Sequence, residues 1–367
     1  MNFVERINAV LHHQDPDQVP FAPQNNHLHR GELERELRNR GAGLMVKTIS
    51  TIWSEMPNVR IEIVTDEGVR TSFYHTPVGT VSTQTLTHTA RELATGGSLS
   101  TEGMIKGVDD YDPVLFMIQD TVYHVDNSVY YNWVRDLGGD GIVRDRGFGP
   151  PYSESRQFYG GIYGLDRWIY EQHDHPDHVV KLVDALGRRT RRLFPLIANS
   201  PAEIIPCGSV NGNISPAWWE ERMLPFYEEY LPLLHAEEKI CVLHAHAPNL
   251  KAFKRLIGQT GVDVVEAFTP PPVGDLALAE ARAAWGPDTI IWVNFPETIF
   301  YRGAEETKQY TIELLRSDPP GNALVIGFTE MGQSGIHDDE SERVFTAGMR
   351  AVMEAIEEYG NYPITLG

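Results

Sequence analysis

"ICVLHAHAPN", residues 240–249, is the stretch from which the fold is read. An apolar run ends in two histidines, and Ala-Pro-Asn then stops it. Side chains on a strand alternate between faces, so Ile240, Val242, His244 and His246 share one face, and Cys241, Leu243 and Ala245 the other. Similar runs recur: "AEIIPCG" (202–208), "VDVVEAF" (262–268), "TIIWVNF" (289–295) and "ALVIGF" (323–328). Between them lie helix-length stretches with spaced apolar positions, "WWEERMLPFYEEYLPLLHAEE", "NLKAFKRLIGQ", "DLALAEARAAWG" and "AEETKQYTIELLRS". Pro225 and Pro232 must kink or split the first of these. "DDESERVFTAGMRAVMEAIEEYG" reads as a closing helix, with Phe345, Met349, Val352, Met353 and Ile356 at helical spacing, acids at its start and Gly360 at its end.

β–α units in series imply a parallel sheet. A (β/α)8 barrel and an open doubly wound sheet both satisfy the pattern. No GxGxxG follows a strand, so a dinucleotide-binding fold has no positive support. The polar residues favour the barrel. Cys207 is followed by Asn211 and Asn213; His244 and His246 end the second run, Glu266 lies in the third, Asn294 and Glu297 follow the fourth and Glu330 the fifth. A β/α barrel builds its active site from the C-terminal ends of several strands. The expectation is therefore an α/β protein, a (β/α)8 TIM barrel forming one domain over residues 1–367, with β-hairpin and helical decorations in its N-terminal part. "RIEIVTDEGVRTSFYHTPVGTVSTQTL" (60–86) reads as a hairpin or meander turning at Asp66-Glu67-Gly68. Residues 112–137 read as a helix, 140–147 as a strand with Arg144 and Asp145 at its end, and 175–197 as a long helix.

Lys plus Arg total 31 against 51 Asp plus Glu, a formal charge of −20. Such a surface repels phosphate backbones, so nucleic acid is excluded as a partner. The one dense basic run, "GRRTRR" (187–192), reads as a solvated helix face. No apolar run approaches the length of a membrane span, and the N-terminal stretch lacks the apolar core of a signal peptide. A cytoplasmic protein with no membrane partner is expected. The two cysteines, Cys207 and Cys241, rule out a disulfide scaffold and a thiolate zinc ribbon.

Two imidazoles at a strand end can be a polar cap or half of a metal site. Residues i and i+2 of a strand lie about 6.5–7 Å apart at Cα. Converging imidazoles at that spacing can bind one tetrahedral ion at about 2.0–2.1 Å. A third ligand must come from another strand, and Glu330 and Glu266 are the carboxylates in reach; Cys207 is a more distant candidate. Cys241 points to the other face and is not a ligand. His27 is a possible pocket residue; its neighbour His29 and the pair His175 and His178 lack the strand context.

"HHQDPDQVPFAP", "NISPAWWEERMLPFYEEYLPLL", "LHAHAPNLKAFKRLIGQTGVDVVEAFTPPPVGDLALAEARAAWG" and "EAIEEYGNYPI" resemble the uroporphyrinogen decarboxylase superfamily, most strongly from 175 to 360. That resemblance implies a (β/α)8 barrel. The porphyrin decarboxylases carry an N-terminal Arg-Gln-Ala-Gly-Arg-Tyr stretch that grips substrate carboxylates. Here the corresponding place reads "FAPQNNHLHRGELERE". The other branch contains zinc methyltransferases that work with corrinoid proteins, with His-x-Cys and a later Cys. This chain has His244-x-His246 and, late, "GFTEMG" with Glu330. A His-His-Glu site is harder and more Lewis acidic than His-Cys-Cys, and suits polarising an oxygen rather than activating a thiol. "HTPVGTV" (75–81) and "TPPPVGD" (269–275) resemble segments of O-demethylase methyltransferases.

The resemblance thus implies a zinc-dependent methyltransferase that moves a methyl group from a methyl ether to the Co(I) corrinoid (cobalamin) of a partner protein. His244, His246 and Glu330 would hold zinc, and Glu266, Asn213 and Asn294 would orient the small-molecule methyl donor. The alternatives are a uroporphyrinogen decarboxylase-like decarboxylase, an amidohydrolase-type metal hydrolase and a non-enzymatic binding protein. Amidohydrolases also use His-x-His in a barrel, but on the first strand rather than two-thirds along the chain.

Overall fold

The computed structural model describes residues 1–28, 30–46, 49–87, 99–152, 161–210, 214–328, 336 and 338–366. The chain forms two compact units, one of Met1–Thr51, Asn127–Gly147 and Ser200–Gly367, the other of Ile52–Asp126 and Phe148–Asn199.

The first unit carries the repeating β–α pattern. Strands Ile204–Val210, Ile240–Ala245, Val264–Phe268, Ile290–Asn294 and Leu324–Gly327 form one parallel sheet, each beside the next in sequence. Helices return the chain between them, as parallel neighbouring strands require. The first connection is split at Met223 into helices Pro216–Arg222 and Leu224–His235. Pro225 at the second helix's first turn lacks the N–H that a continuous helix would need. A second parallel pair joins Leu44–Val46 to Gly141–Val143.

The α/β architecture is as expected, but the assigned ladders do not draw a closed eight-stranded barrel. They fall into a sheet of five strands and a sheet of two. The stretch from Pro20 to Gln24 runs between these sheets and bonds to both. The Ala22 and Gln24 N–H groups donate to Ile326 and Phe328, while the Phe21 and Pro23 carbonyls accept from Gly43 and Met45. Pro20 and Pro23 have no donor to give, so isolated bridges form there in place of a ladder. Gly327 shows how closely this segment lies, since a Cβ on it would come 2.4 Å from the Ala22 carbonyl oxygen and 2.8 Å from Trp292 Nε1.

Alternate residues of these strands fill one cluster: Ile204, Ile240, Val242, Val264, Ile290, Trp292 and Val325, closed by Phe3, Ile7, Val10 and Leu11 of the helix Phe3–Leu11. Ile240 and Val242 share His244's face, so that face looks inward. Cys241 is buried on the opposite face.

In the second unit Arg60–Asp66, Val69–Thr76, Gly79–Leu86 and Leu99–Glu102 form an antiparallel sheet in chain order. The first turn is Glu67-Gly68, both in the left-handed region at φ 44° and 78°, as a two-residue hairpin demands. The helix expected over 112–137 is interrupted. Helices Tyr111–Asp120 and Ser128–Leu137 flank a strand, Val122–Val125, which pairs antiparallel with Ile52–Glu55. Val-Tyr-His-Val is β-branched and aromatic, and a pairing partner far away in sequence lets that preference prevail over helical spacing. The long helix runs Pro176–Ala198. Among the described residues no helix is long and apolar enough to cross a membrane.

Gly327→Ala should lower stability by about 1–3 kcal/mol through overpacking against backbone. Gly31→Ala, where a new Cβ meets nothing within 4 Å, should be neutral; urea denaturation compares the two. Asp17 supplies a pH dependence. Partial burial opposes its charge, but Arg6 and the N-terminal ammonium hold its carboxyl down to about 2. The depressed folded value makes the stabilisation present above the unfolded carboxyl's pKa of about 3.9 and lost as pH falls through 2. Asp17→Asn should therefore be less stable than the parent at neutral pH, with the gap closing in acid.

Candidate active site

Register brings the site together. Residue His244 on Ile240–Ala245 lies opposite Glu266 on Val264–Phe268. Its Nδ1 is 2.7 Å from Glu266 Oε2. An ionised carboxylate only accepts, so Nδ1 carries a proton. The other Glu266 oxygen, Oε1, accepts from Gln24 Nε2 at 3.3 Å and faces Arg144 Nη1 at 3.5 Å. The Glu266 and Arg144 side chains are each 1% exposed, and that of His244 25%. The glutamate is thus a buried anion with an arginine as counter-ion and a histidine as its link to the surface.

Two bulges lie near this pair, one in a ladder of His244 and one in a ladder of Glu266. Against Ile204–Val210 the register shifts between Val242 and His244, with Gly208 at φ 86° supplying the extra residue. The ladder between Val264–Phe268 and Ile290–Asn294 shifts between Glu266 and Phe268, with Ala267 at φ 60°. A bulge bends a strand and re-aims its neighbours' side chains, and an alanine in the left-handed region stores strain. Asn294, buried at the next strand end, donates through Nδ2 to Thr269 Oγ1 at 3.0 Å, and Thr269 donates to the Ala267 carbonyl at 3.2 Å.

Asp145 accepts from the Thr51 and Arg146 backbone N–H groups at 2.9 and 2.6 Å and from the Thr51 and Ser200 hydroxyls. It fastens together the ends of three chain segments of this unit. A cavity of about 430 Å³ opens between them, lined by Ile49, Ser50, Arg144, Asp145, Arg146, Gly147, Pro206, Val242, His244 and Glu266.

The expected site residues are distributed as follows. His244 and Glu266 are in direct contact. The strand ends at Ala245, one residue short of His246, which is exposed. The two imidazole centroids nevertheless lie 6.0 Å apart at 32°. Asn294 braces the bulge after Glu266. Asn213 and Glu330 lie outside the described residues. Cys207 is fully buried, and burial foremost, then the neighbouring Cys241 thiol, pushes its own thiol well up.

Two contributors were not among the expected site residues. Arg144 had a visible signal, a charged pair ending a strand. Gln24 sits in a proline-flanked extended segment without periodicity and gave none. A further group, His235, Cys241 and Asp263, has ligand atoms within 4.8 Å of one another. Asp263 Oδ2 there already bonds His235 Nε2 at 3.0 Å and the Cys241 N–H at 2.7 Å.

No family model matches the chain, and no curated protein matches it by sequence. Among solved structures it is similar to a methyltransferase from Methanosarcina mazei, with a TM-score of 0.55 at 12% identity over 98% of this chain and 99% of the other. The two share a fold along their whole lengths.

Removing one member of a buried ion pair is far costlier than removing both. Glu266→Gln should destabilise by about 3–5 kcal/mol, while Glu266→Gln with Arg144→Met should recover much of that loss. Chemical denaturation of the two singles and the double completes the cycle.

Proposed function

We propose that this protein is a cytoplasmic methyltransferase that takes the methyl group of a methyl ether and delivers it to the reduced corrinoid of a partner protein. The observation that carries the reading is the His244–Glu266 pair at adjacent strand ends beside an apolar-walled cavity. The full-length likeness to a methyltransferase structure, together with the motif resemblance, supports this reaction class. We take the parallel strands with the Pro20–Gln24 segment between them as staves of one (β/α)8 barrel.

The donor set fits a zinc ion in part. A carboxylate on Nδ1 fixes ring orientation and raises basicity at Nε2, the usual arrangement behind a metal-ligating histidine. His244 and His246 would hold the metal, with Glu330 as third ligand, and Glu266 acts behind His244. Bound zinc would supply Lewis acidity toward an ether oxygen. The chain's own residues do the rest. Glu266 and Gln24 hold the imidazole in one tautomer, Arg144 keeps Glu266 ionised, and Val242, Pro206 and Ile49 exclude water from the donor. Asn294 steadies the strand end, and Asn213 would orient the donor. The methyl carbon–oxygen bond breaks, the methyl passes in line to the corrinoid, and oxygen leaves as phenolate or alkoxide.

His244→Ala or His246→Ala should abolish binding of zinc, and Cys241→Ser should leave it unchanged. Glu266→Gln should weaken affinity roughly 10- to 100-fold. Zinc retained in the double histidine variant removes the site. For the reaction, the protein with Co(I) cobalamin and a panel of methyl ethers should form methylcobalamin, read from its absorbance spectrum. If none reacts, while uroporphyrinogen is decarboxylated or an amide hydrolysed, the reading is wrong.

A further inference from the structure

Arg144 is almost wholly buried, yet its Nε and Nη1 have no hydrogen-bond partner, and Glu266 approaches Nη1 at 3.5 Å, an ion-pair rather than a hydrogen-bond contact. A buried cation with unsatisfied donors is costly, and it persists where something else completes it. Arg144 lines the cavity beside His244, and the walls around it are Ile49, Pro206 and Val242. Resting on the function proposed above, we infer that the methyl donor carries a carboxylate on a compact apolar body, and that Arg144 receives that carboxylate. The planar guanidinium presents paired donors that match a carboxylate's two oxygens. Asp145, Arg146 and Glu266 also line the cavity, so its formal charges balance, and the match of a flat carboxylate to the guanidinium rather than net charge sets the preference.

Binding is measured by calorimetry without any corrinoid, with 4-methoxybenzoate, its methyl ester, anisole and inorganic phosphate as probes. The carboxylate should bind roughly 10- to 100-fold more tightly than the ester or anisole, and Arg144→Lys should reduce that preference. Equal binding of ester and acid, or preferred binding of phosphate, overturns the inference even if neutral ethers are demethylated. Arg144-dependent carboxylate binding without methyl transfer sustains it and sinks the function instead. The ligand series uses the unaltered protein, so it decides the matter even if the variant fails to fold.

A second inference stands on the antiparallel unit alone. Strand Arg60–Asp66 is exposed throughout and, among the described residues, pairs only with Val69–Thr76. Its two-residue turn makes Asp66–Val69 a hydrogen-bonded pair, so Arg60, Glu62, Val64 and Asp66 direct their backbone groups to that neighbour. Ile61, Ile63 and Thr65 direct theirs outward. Edge strands are ordinarily guarded by charge, but here the outward residues carry none, and Ile61 and Ile63 are 51% and 61% exposed. We infer that this edge pairs antiparallel with the same strand of a second copy, about a two-fold axis at Ile63. That register joins all three outward residues, sets Arg60 opposite Asp66 at both ends, and puts no like charges face to face.

Sedimentation velocity across the micromolar range should show a dimer. Ile63→Pro, which removes an outward N–H, should give a monomer. Arg60→Asp should weaken the dimer, and Arg60→Asp with Asp66→Arg should restore it. A monomeric parent protein, a dimer that survives Ile63→Pro, or a charge swap that fails to restore association each overturns the inference.

Discussion

The site depends on one buried anion. Glu266 is placed at a strand end where water cannot reach it, and its charge is tolerable only because Arg144, Gln24 and His244 converge on it. Those partners come from three separate stretches of sequence. Each lies at the end of a strand or extended segment, so the sheet order that makes neighbours of them is also what keeps the carboxylate ionised. Without Arg144 the buried carboxylate would lose its counter-ion, a cost that the neutral partners Gln24 and His244 do not offset by charge.

The geometry around this group is deliberately irregular. Gly208 inserts an extra residue in the ladder beside His244, and Ala267 one in the next ladder, directly after Glu266. His244 and Glu266 are themselves direct cross-strand partners in a ladder without a shift. That register brings the two side chains to hydrogen-bond distance while the strands beneath continue into the packed core. Thr269 and Asn294 hold the second bulge by side-chain bonds, which is why a left-handed alanine persists there.

Asp145 performs a related task for the cavity wall. Its carboxylate gathers Thr51, Arg146 and Ser200, so three otherwise independent chain ends share one anchor. The adjacent residue, Arg144, is thereby held with its guanidinium at the cavity rather than in solvent. Aspartate and arginine side by side at a strand end thus divide between fastening the backbone and presenting charge.

Much of this was legible in the sequence. The five apolar runs, their order, the inward face of His244, the outward face of Cys241 and the hairpin at Glu67-Gly68 follow from periodicity and turn chemistry, which are local. What local pattern could not supply was partnership. Val122–Val125 has helical neighbours on both sides and became a strand only because Ile52–Glu55 lies beside it. The proline-flanked Pro20–Gln24 segment carries no periodicity, yet it bridges two sheets and delivers Gln24 to Glu266. The sequence by itself determined which residues face inward at the strand ends, because alternation is a property of the backbone. Only the tertiary structure decided that Glu266 would sit behind His244 with Arg144 as its counter-ion, because burial and charge compensation depend on segments far apart in the chain.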